Sequence, residues 1–375
     1  MRTNTVRNAT LVIVPMLCLI SPSQGEDRPA DNATQGFVYI ATNQPGGNHI
    51  IQFNRKSDGS LIRMGEPVST GGNGGTGNGV GPLDPLGSQD SLVLTNAGSL
   101  IIVVNAGSNS LSTLRAGNSG VSLISVVSSN GVFPNSVAIR EDLVYVLNAH
   151  GTPNISGYRL TSSGTLVAIS GSARNLPGAA SAKPHDIRFS PDGDRLLVTD
   201  EGNRQIDVFD LNDSGIVTGM STNPSAGSGP FGFNFARNNE LVVTEANTGS
   251  ASSYRLTALN ALQVLSPVVA DGQAATCWIS FTASKRLGFA SNTGSGDLSV
   301  YRVTDNGTLN LVDPIAASIP GSAPIDSAFS DDGRFLYVDD SAMGRILEFE
   351  AHEASLLFLG AVTGLPQTIQ GIGAQ

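Results

Sequence analysis

Seven short apolar runs in the sequence each end in an amide or a carboxylate, side chains that can bind a small polar ligand or transfer a proton. The seven terminal residues are Asn43, Asn105, Asn148, Asp200, Glu245, Asn292 and Asp340. His185 precedes the fourth run, and Glu245 ends the fifth. A histidine and a carboxylate that share one cavity can act as general acid and general base, so we expect these two to form a catalytic pair. A structural alternative stays open, because amides and carboxylates also bond loop backbone groups at strand ends.

Other residues near this pair are candidates for binding a substrate. They are Lys183, Asp200, Arg204, Phe231, Asn292 and Asn148. A divalent cation held by Glu245, Asn292 and Asp340 is a further alternative, although no loop has the spacing of a metal-binding motif, and no cofactor is expected. Cys277 is the only cysteine beyond residue 25, which excludes metal sites built on cysteine pairs. We expect it to be a small buried hydrophobic residue.

The apolar runs recur at intervals of 43 to 62 residues, as at 196–200 and 336–340. Each run is followed by a segment in which apolar and polar residues alternate, such as 205–209, and a period of two is typical of a half-buried strand. Turns with Pro-Asp-Gly or similar sequences precede several runs. Four strands per unit and a period of about 40–50 residues are typical of propeller blades. The sequence therefore predicts an all-β protein, a seven-bladed β-propeller with four-stranded blades.

The first unit, which begins at Phe37, has no strand ahead of its apolar run. Residues 365–372 resemble the inner strands of the other units, which are also introduced by a proline. We expect this C-terminal strand to join the first blade and close the ring, which leaves no long unpaired edge; a frayed tail is the alternative. The glycine-rich stretch 71–79 accounts for the longest interval, and we expect it to be a flexible insertion between the first two blades.

The geometry of a propeller blade indicates where a site would lie, because the inner strand begins and the second strand ends at the same mouth of the central channel. The expected inner-strand starts are Asp90, Asn135, His185, Phe231, Cys277, Ile325 and Gln367. Of the four histidines, only His185 falls at this mouth. His49 and His352 fall in outer-strand regions, and His150 falls in a loop.

The N-terminus has the features of a secretory signal peptide, with Arg2 and Arg7 ahead of an apolar run and small residues after it. We expect residues 1–25 to be cleaved, residues 26–35 to be a short linker and residues 36–375 to form the propeller, which would be secreted or periplasmic. No other stretch is apolar enough to span a membrane. The formal net charge of −10 disfavours nucleic acid as a partner. We expect a monomer that takes a small polar or lactone ligand.

Several motifs resemble those of the seven-bladed propeller lactonases, which include propeller-type 6-phosphogluconolactonase and 3-carboxy-cis,cis-muconate lactonising enzyme. The motifs are Asn-Ala-Gly-Ser-Asn at 105–109, Pro-His-Asp-Ile-Arg-Phe-Ser-Pro-Asp-Gly at 184–193, Pro-Phe-Gly-Phe at 230–233, Val-Thr-Glu-Ala at 243–246, Cys-Trp at 277–278 and Ser-Asn-Thr-Gly at 291–294. They look most like an exported branch of the family described as 3-carboxymuconate cyclase-like. The resemblance covers roughly residues 36–375.

The resemblance implies that a histidine and a glutamate open or close a lactone ring at the channel mouth, and these correspond to His185 and Glu245. The arginines that hold an anionic substrate in this family are replaced, since Phe231, Gly232 and Thr293 stand where they are expected. Without that clamp an uncharged lactone is a better candidate than a phosphorylated one. We therefore expect hydrolysis or ring opening of a small lactone, by a lactonase or a cycloisomerase-like enzyme. The alternative is a non-catalytic exported propeller that binds a surface polymer or a protein partner.

Overall fold

The computed structural model describes Met1 and residues 33–77, 83–95 and 98–375. The expected signal peptide, apart from Met1, and most of the expected linker lie outside the described residues. From Gly36 onward the described chain forms β-strands joined by turns, and the strands are grouped into seven sheets. No helix within the described parts of the chain is long and apolar enough to span a membrane.

Each of the first four sheets is ordered from an inner strand at the channel to an outer strand. Blade 1 contains β29 (Ile372–Ala374), β1 (Gly36–Ala41), β2 (His49–Arg55) and β3 (Leu61–Ser69). Blade 2 contains β4 (Leu92–Leu94), β5 (Leu100–Asn105), β6 (Ser110–Arg115) and β7 (Ser122–Ser128). Blade 3 contains β8 (Val132–Arg140), β9 (Leu143–His150), β10 (Asn154–Leu160) and β11 (Leu166–Ala168), with β12 (Arg174–Asn175) also paired to β10. Blade 4 contains β13 (Pro184–Phe189), β14 (Arg195–Asp200), β15 (Gln205–Leu211) and β16 (Val217–Pro224).

The remaining three sheets follow the same order. Blade 5 contains β17 (Pro230–Phe235), β18 (Glu240–Glu245), β19 (Ser250–Leu256) and β20 (Leu262–Ala270). Blade 6 contains β21 (Thr276–Phe281), β22 (Leu287–Asn292), β23 (Asp297–Val303) and β24 (Leu309–Ser318). Blade 7 contains β25 (Ser327–Phe329), β26 (Phe335–Asp340), β27 (Arg345–His352) and β28 (Ser355–Val362). Short 3₁₀ turns lie at Ala106–Ser108, Arg237–Asn239 and Ser341–Met343. The prediction of a seven-bladed, four-stranded propeller is confirmed.

Neighbouring blades pack face to face through alternating apolar side chains. Between blades 4 and 5 the buried cluster includes Leu197, Val208, Phe233, Val243 and Tyr254. Similar clusters join other pairs of blades around the ring. Burial of one large apolar side chain stabilises a fold by about 1.5–3 kcal/mol, so these clusters hold the sheets together.

The C-terminal strand closes the ring, as predicted. β29 pairs antiparallel with β1, where Ile372 lies opposite Ile40 and Ala374 lies opposite Val38. Arg55 Nε donates a hydrogen bond of 2.8 Å to the carbonyl of the last residue. A buried cluster joins this strand to blade 7, so the first and last blades share one core.

The closing strand begins only at Ile372, the last residue of the predicted strand. Ahead of it, Ile369 packs into the core shared with blade 7. The buried Gln370 side chain accepts a hydrogen bond of 2.7 Å from the Leu86 N–H, and Gly371 has a φ of 97°, which an extended strand does not use. The approach to the strand is therefore fixed by buried side chains together with backbone hydrogen bonds from the Gln370 N–H to the Ala41 carbonyl and from the Ala41 N–H to the Gly371 carbonyl.

The glycine-rich stretch packs closely on its neighbours over residues 71–77, which corrects the prediction of a flexible insertion. The Gly75 N–H donates a hydrogen bond of 2.9 Å to Asn43 Oδ1, and Asn43 Nδ2 donates one of 2.8 Å to the Gly75 carbonyl. A Cβ on Gly74 would lie 2.1 Å from the carbonyl carbon of Asn43. Close approach of two backbones, not freedom of movement, is what requires glycine at this position. Residues 78–79 of the stretch lie outside the described residues.

Gly74→Ala should lower the free energy of unfolding by about 1–3 kcal/mol. The new methyl group would overlap the backbone of Asn43, which the two hydrogen bonds hold in place. Gly46→Ala is the matched control, because a Cβ at Gly46 meets no atom within 4 Å, and it should change stability by less than about 0.5 kcal/mol. Chemical denaturation measures both, and equal stabilities would show that the loop yields without cost.

Residues 83–90, which we name the channel segment, cross the central channel. Ser88 Oγ donates a hydrogen bond of 2.7 Å to the carbonyl of Asn135 in blade 3. The Ser88 carbonyl accepts hydrogen bonds from Trp278 Nε1 of blade 6, at 2.8 Å, and from Gln370 Nε2 beside blade 1, at 3.0 Å. These bonds reach different sides of the ring, and the segment lies between two cavities, one lined by Asp84 and the other by Asp90.

Candidate functional site

One of the two cavities, which we name the site cavity, has a volume of about 630 Å³. It lies at the mouth where the second strands of blades 4, 5 and 6 end. Its wall includes His185, Glu201, Phe231 and Trp278, and the channel segment contributes Asp84. A concave space of this size, with a few polar groups in an otherwise apolar wall, suits a small organic ligand.

His185, the second residue of β13, is buried in the wall of the site cavity. Its Nδ1 lies 2.6 Å from the Gly87 carbonyl oxygen, and its Nε2 lies 3.2 Å from Glu201 Oε2. A carbonyl oxygen only accepts hydrogen bonds, so Nδ1 carries a hydrogen and donates it. The ring also stacks on Phe231, with 4.0 Å between the ring centroids. Three neighbours therefore hold the imidazole in one orientation.

Glu201 directly follows β14 and is the carboxylate partner of His185. The hydrogen bond from His185 is the main reason that the pKa of Glu201 falls to about 2, against the opposing effect of burial. A carboxylate this acidic stays ionised at neutral pH, so Glu201 acts as a hydrogen-bond acceptor. Asn247 Nδ2 donates a hydrogen bond of 3.0 Å to the other carboxylate oxygen. Glu201 is thus held between His185 and Asn247.

Asp84 is an acid of the site cavity that sequence reasoning missed. Its Oδ1 accepts hydrogen bonds of 2.8 Å from the Gly87 N–H and 2.8 Å from Gln370 Nε2. Burial raises the pKa of Asp84 to about 6, even though the Gln370 hydrogen bond acts in the opposite direction. The channel segment has no counterpart in the other blades, so a search for repeated strand ends carries no signal for this residue.

The rest of the wall is mainly apolar. Phe231 and Trp278 meet edge to face with 4.9 Å between ring centroids. Cys277 is buried beside them, and burial raises the pKa of its thiol well above the usual range. A thiol of this kind is a poor nucleophile, so Cys277 contributes apolar surface. This wall would contact the carbon skeleton of a ligand.

His150 is a second histidine in the wall of the site cavity, whereas the sequence predicts that it lies in a loop away from the mouth. It is the last residue of β9, and its ring stacks on Phe133 with 4.2 Å between ring centroids. Burial lowers the pKa of His150, which favours the neutral imidazole at neutral pH. Its place at the end of a second strand, like Asp200 and Glu245, is the signal that could have located it.

Glu245 ends β18 at the same mouth, but its side chain turns away from the site cavity. Its Oε1 accepts hydrogen bonds from Ser225 Oγ at 2.6 Å and Ser252 Oγ at 2.7 Å. The side chain is fully buried, and burial raises the pKa of its carboxyl. The pairing of His185 with Glu245 is therefore replaced by the pairing of His185 with Glu201. The reason is that Glu245 is bonded to Ser252 of its own blade and to Ser225 in the loop that precedes the blade.

The structure brings together three of the eight predicted site residues. His185, Lys183 and Phe231 line the site cavity, whereas Glu245, Asp200, Arg204, Asn292 and Asn148 do not. Asp200 Oδ1 accepts a hydrogen bond of 2.8 Å from the Lys183 N–H, and Asn148 Nδ2 donates one of 3.1 Å to the Ser129 carbonyl. Arg204 lies in an exposed turn with a φ of 55°. These contacts fit the structural alternative, in which strand-end residues bond loop backbone.

The strand-end residues considered for a divalent cation are bonded elsewhere. Asn292 Nδ2 donates hydrogen bonds of 2.8 Å to Asp297 and 2.7 Å to Ser299. Asp340 Oδ2 accepts one of 2.7 Å from Arg345 Nε. Within the described ranges, no group of three or more His, Cys, Asp or Glu side chains is arranged to hold a metal ion.

Solved structures with this fold are similar to the chain over most of their length. A protein from Lactobacillus plantarum has a TM-score of 0.74 at 18% identity, and the match covers 89% of this chain and 98% of that one. A candidate 6-phosphogluconolactonase from Bacteroides fragilis has a TM-score of 0.69 at 18% identity, covering 91% and 99%. The periplasmic gluconolactonase of Pseudomonas aeruginosa has a TM-score of 0.67 at 18% identity, covering 88% and 97%. At these identities the likeness shows the fold alone.

A comparison with curated proteins finds no match. The model of the family described as "Lactonase, 7-bladed beta-propeller" matches residues 92–363, which is well over half of the chain. That match agrees with the seven four-stranded blades and with the closure by the C-terminal strand. The chain therefore belongs to the seven-bladed β-propeller lactonase family.

Proposed function

We propose that this protein hydrolyses a small uncharged lactone in the site cavity. One observation carries the proposal: both ring nitrogens of the buried His185 face fixed acceptors, the Gly87 carbonyl and the Glu201 carboxylate, at the wall of a cavity of about 630 Å³. The contact at Nε2 is the longer of the two, at 3.2 Å, so we assign Nε2–H to a hydrogen bond that is shared between Glu201 and the carbonyl oxygen of a bound ester, where it would stabilise the negative charge that develops. Membership of the lactonase family supports this class of reaction.

Asp84 is the group that we assign to the activation of water. Burial raises its pKa to about 6, so it is ionised at neutral pH and is a stronger base than Glu201. The oxygen of water adds to the lactone carbonyl carbon as its proton passes to Asp84, and His185 Nε2–H stabilises the resulting oxyanion. The ring C–O bond then breaks, and the ring oxygen takes the proton from Asp84. The product is the open hydroxy acid.

The charges around the site cavity favour an uncharged substrate. Lys183, which is exposed, is the one lysine or arginine among the described residues of the wall. Asp84 and Glu201 supply negative charge. A phosphorylated or carboxylated lactone would meet this negative charge without a bidentate arginine clamp. The apolar surface of Phe231 and Trp278 is suited to ring carbons instead.

A panel of lactones tests this proposal, using matched pairs that differ only in a phosphate or a carboxylate. We expect the uncharged member of each pair to be hydrolysed with a kcat/KM at least about tenfold higher. A preference for the anionic members would contradict the charge argument. Binding of a lactone without turnover of any member would replace the proposal with the alternative of a non-catalytic binding protein.

The same assay should show a rate that rises with pH through about 6 and then levels off. Asp84 acts as a base only in its ionised form, and burial raises its pKa to about 6, so acid removes the active form. Asp84→Asn should abolish the rise together with most of the activity. A profile that is unchanged in this variant would assign the base to another group. Spontaneous hydrolysis of each lactone is measured without protein and subtracted.

We also propose that the protein is exported and belongs to the exported, cyclase-like branch of the family. The basic and apolar sequence of residues 1–25 supports export, and one similar structure is named as a periplasmic enzyme. N-terminal sequencing of the protein from its native host tests the proposal. An intact Met1 would contradict it.

A further inference from the structure

The second cavity lies on the other side of the channel segment, has a volume of about 660 Å³ and takes no part in the proposed hydrolysis. Four phenylalanines at corresponding positions of four consecutive inner strands line it. These residues, which we name the phenylalanine arc, are Phe189, Phe235, Phe281 and Phe329. One side of the cavity is therefore aromatic.

The base of the second cavity holds more acidic groups than basic ones. Arg188 lies 2.5 Å from an Asp90 carboxyl oxygen and 3.2 Å from an Asp186 carboxyl oxygen. Asp326, whose charge acts on Arg188, is also buried. Its Oδ2 has no hydrogen-bond partner among the described residues. Three carboxyl groups thus share one guanidinium, and burial raises the pKa of all three, that of Asp326 well above its usual range. A further cation at the base would take the place of a proton in this cluster.

Asp90 is the carboxyl group that a ligand can reach. Its side chain is 22% exposed and lines the cavity, whereas the Asp186 side chain is 0% exposed. Arg188 is already held by two carboxylates, so an anion would have to displace one of them. The lysine of the cavity, Lys285, is exposed, where solvent and salt screen its charge. Arg188 also lines the cavity and is 21% exposed, but it bonds two carboxyl groups, whereas Asp90 forms an ion pair with Arg188 alone. This difference favours a cation over an anion at the base.

The spacing of the base and the phenylalanine arc sets the length of the ligand. Asp186 and Phe189 are three residues apart on β13, which corresponds to about 10 Å along a strand. A molecule that spans this distance would reach the acidic base with one end and the aromatic side chains with the other. Aromatic faces attract cations and also bury apolar carbon.

We propose that the second cavity binds an amphipathic amine, whose ammonium group pairs with Asp90 and whose apolar body lies against the phenylalanine arc. The site is separate from the site cavity, because the channel segment lies between them.

Three probes that share one skeleton test the chemistry: 4-phenylbutylamine, 4-phenylbutanol and 4-phenylbutyrate. Isothermal titration calorimetry on the whole protein should show binding of the amine, at least about tenfold weaker binding of the alcohol and no binding of the carboxylate. Equal affinities for amine and alcohol, or no binding of the amine, would overturn the proposal.

The affinity for the amine should increase as the pH rises through about 7. Burial is the main reason that the pKa of Asp90 rises to about 7, with Asp186 acting in the same direction and Arg188 against it. The other titratable groups that face this region are the buried Asp326, whose pKa burial raises well above its usual range, and, on the cavity wall, Lys285. Ammonium binds the ionised form of Asp90, so binding should release protons near neutral pH. An affinity that does not change between about pH 5 and 8 would contradict this pairing.

Two variants in the second cavity and one control variant in the site cavity locate the amine. Asp90→Asn should weaken its binding at least about tenfold, whereas Asp84→Asn, the matched removal of a carboxyl group from the site cavity, should leave it unchanged. Phe281→Ala removes part of the phenylalanine arc without touching a charge and should weaken amine binding by about threefold or more. Thermal unfolding shows whether each variant is folded. If Asp90→Asn does not fold, the affinity of Phe281→Ala for the amine decides the test. Loss of binding in Asp84→Asn, or full affinity in Phe281→Ala, would place the amine elsewhere.

Discussion

His185→Asn and Glu201→Gln should each lower kcat/KM for the preferred lactone by about 10²–10⁴-fold. The first variant removes the ring whose Nε2–H we assign to the substrate carbonyl. The second removes the carboxylate that faces His185 Nε2 and helps to hold the ring in one orientation. Steady-state kinetics on the uncharged lactone measures both effects, and thermal unfolding confirms that the variants remain folded.

Glu245→Gln is the control that separates this pairing from the one predicted by the sequence. The glutamine oxygen can still accept the hydrogen bonds of Ser225 and Ser252, and the side chain does not line the site cavity. We expect kcat/KM to change by less than about threefold. A large loss in Glu245→Gln together with little loss in Glu201→Gln would restore the original pair and contradict the observed contact between His185 and Glu201.

The blades could be predicted because each strand carries its own signal. The alternation of apolar and polar residues over five to seven positions and the turns between strands are local patterns. Each of the seven units carries them, so the same signal occurs seven times. The sequence predicts the closing strand only approximately, since β29 has three residues and its approach depends in part on the buried side chain of Gln370, which bonds the channel segment. A contact of that kind lies between residues far apart in sequence, which leaves no pattern along the chain.

The sequence predicts the position of His185 at the channel mouth but not the carboxylate that it contacts. His185 stands at a repeated position, the start of an inner strand after a proline, and the repeat places that position at the channel mouth. Which carboxylate reaches it depends on the loop after β14, where Glu201 faces the cavity and Asp200 turns to bond backbone. The side chains of neighbouring residues in such a loop point in different directions. Sequence spacing alone therefore did not separate Glu201 from Glu245.

Deletion of residues 365–375 should leave no folded protein. It removes β29 from β1, uncovers an unpaired strand edge and takes Ile369 and Ile372 out of the core that blades 1 and 7 share. Each lost buried aliphatic side chain costs about 2–5 kcal/mol, and the total stability of a domain is only about 5–15 kcal/mol. Circular dichroism and thermal unfolding of the truncated chain measure the result. An unchanged melting temperature would show that the ring does not depend on its closure.

Single substitutions test the same closure in a protein that still folds. Ile372→Ala should lower the free energy of unfolding by about 2–5 kcal/mol, because this side chain is 5% exposed at the joint between the first and last blades. Val268→Ala, on the outer strand β20 where the side chain is 45% exposed, should cost less than about 0.5 kcal/mol. Similar losses in both variants would mean that the joint carries no special share of the stability.

Gln370 connects the closure of the ring with the proposed hydrolysis, so a single substitution at this residue should reduce both stability and activity. Its side chain holds the channel segment at Leu86 and Asp84, and the same segment presents the Gly87 carbonyl that orients His185. Gln370→Ala removes the side-chain hydrogen bonds to Leu86 and Asp84, which costs about 1–3 kcal/mol, and it also frees the base and the orienting carbonyl to move. We therefore expect Gln370→Ala to reduce kcat more than Ile372→Ala does, even where Ile372→Ala loses more stability. Equal kcat values in the two variants would mean that the ring positions the site without help from the channel segment.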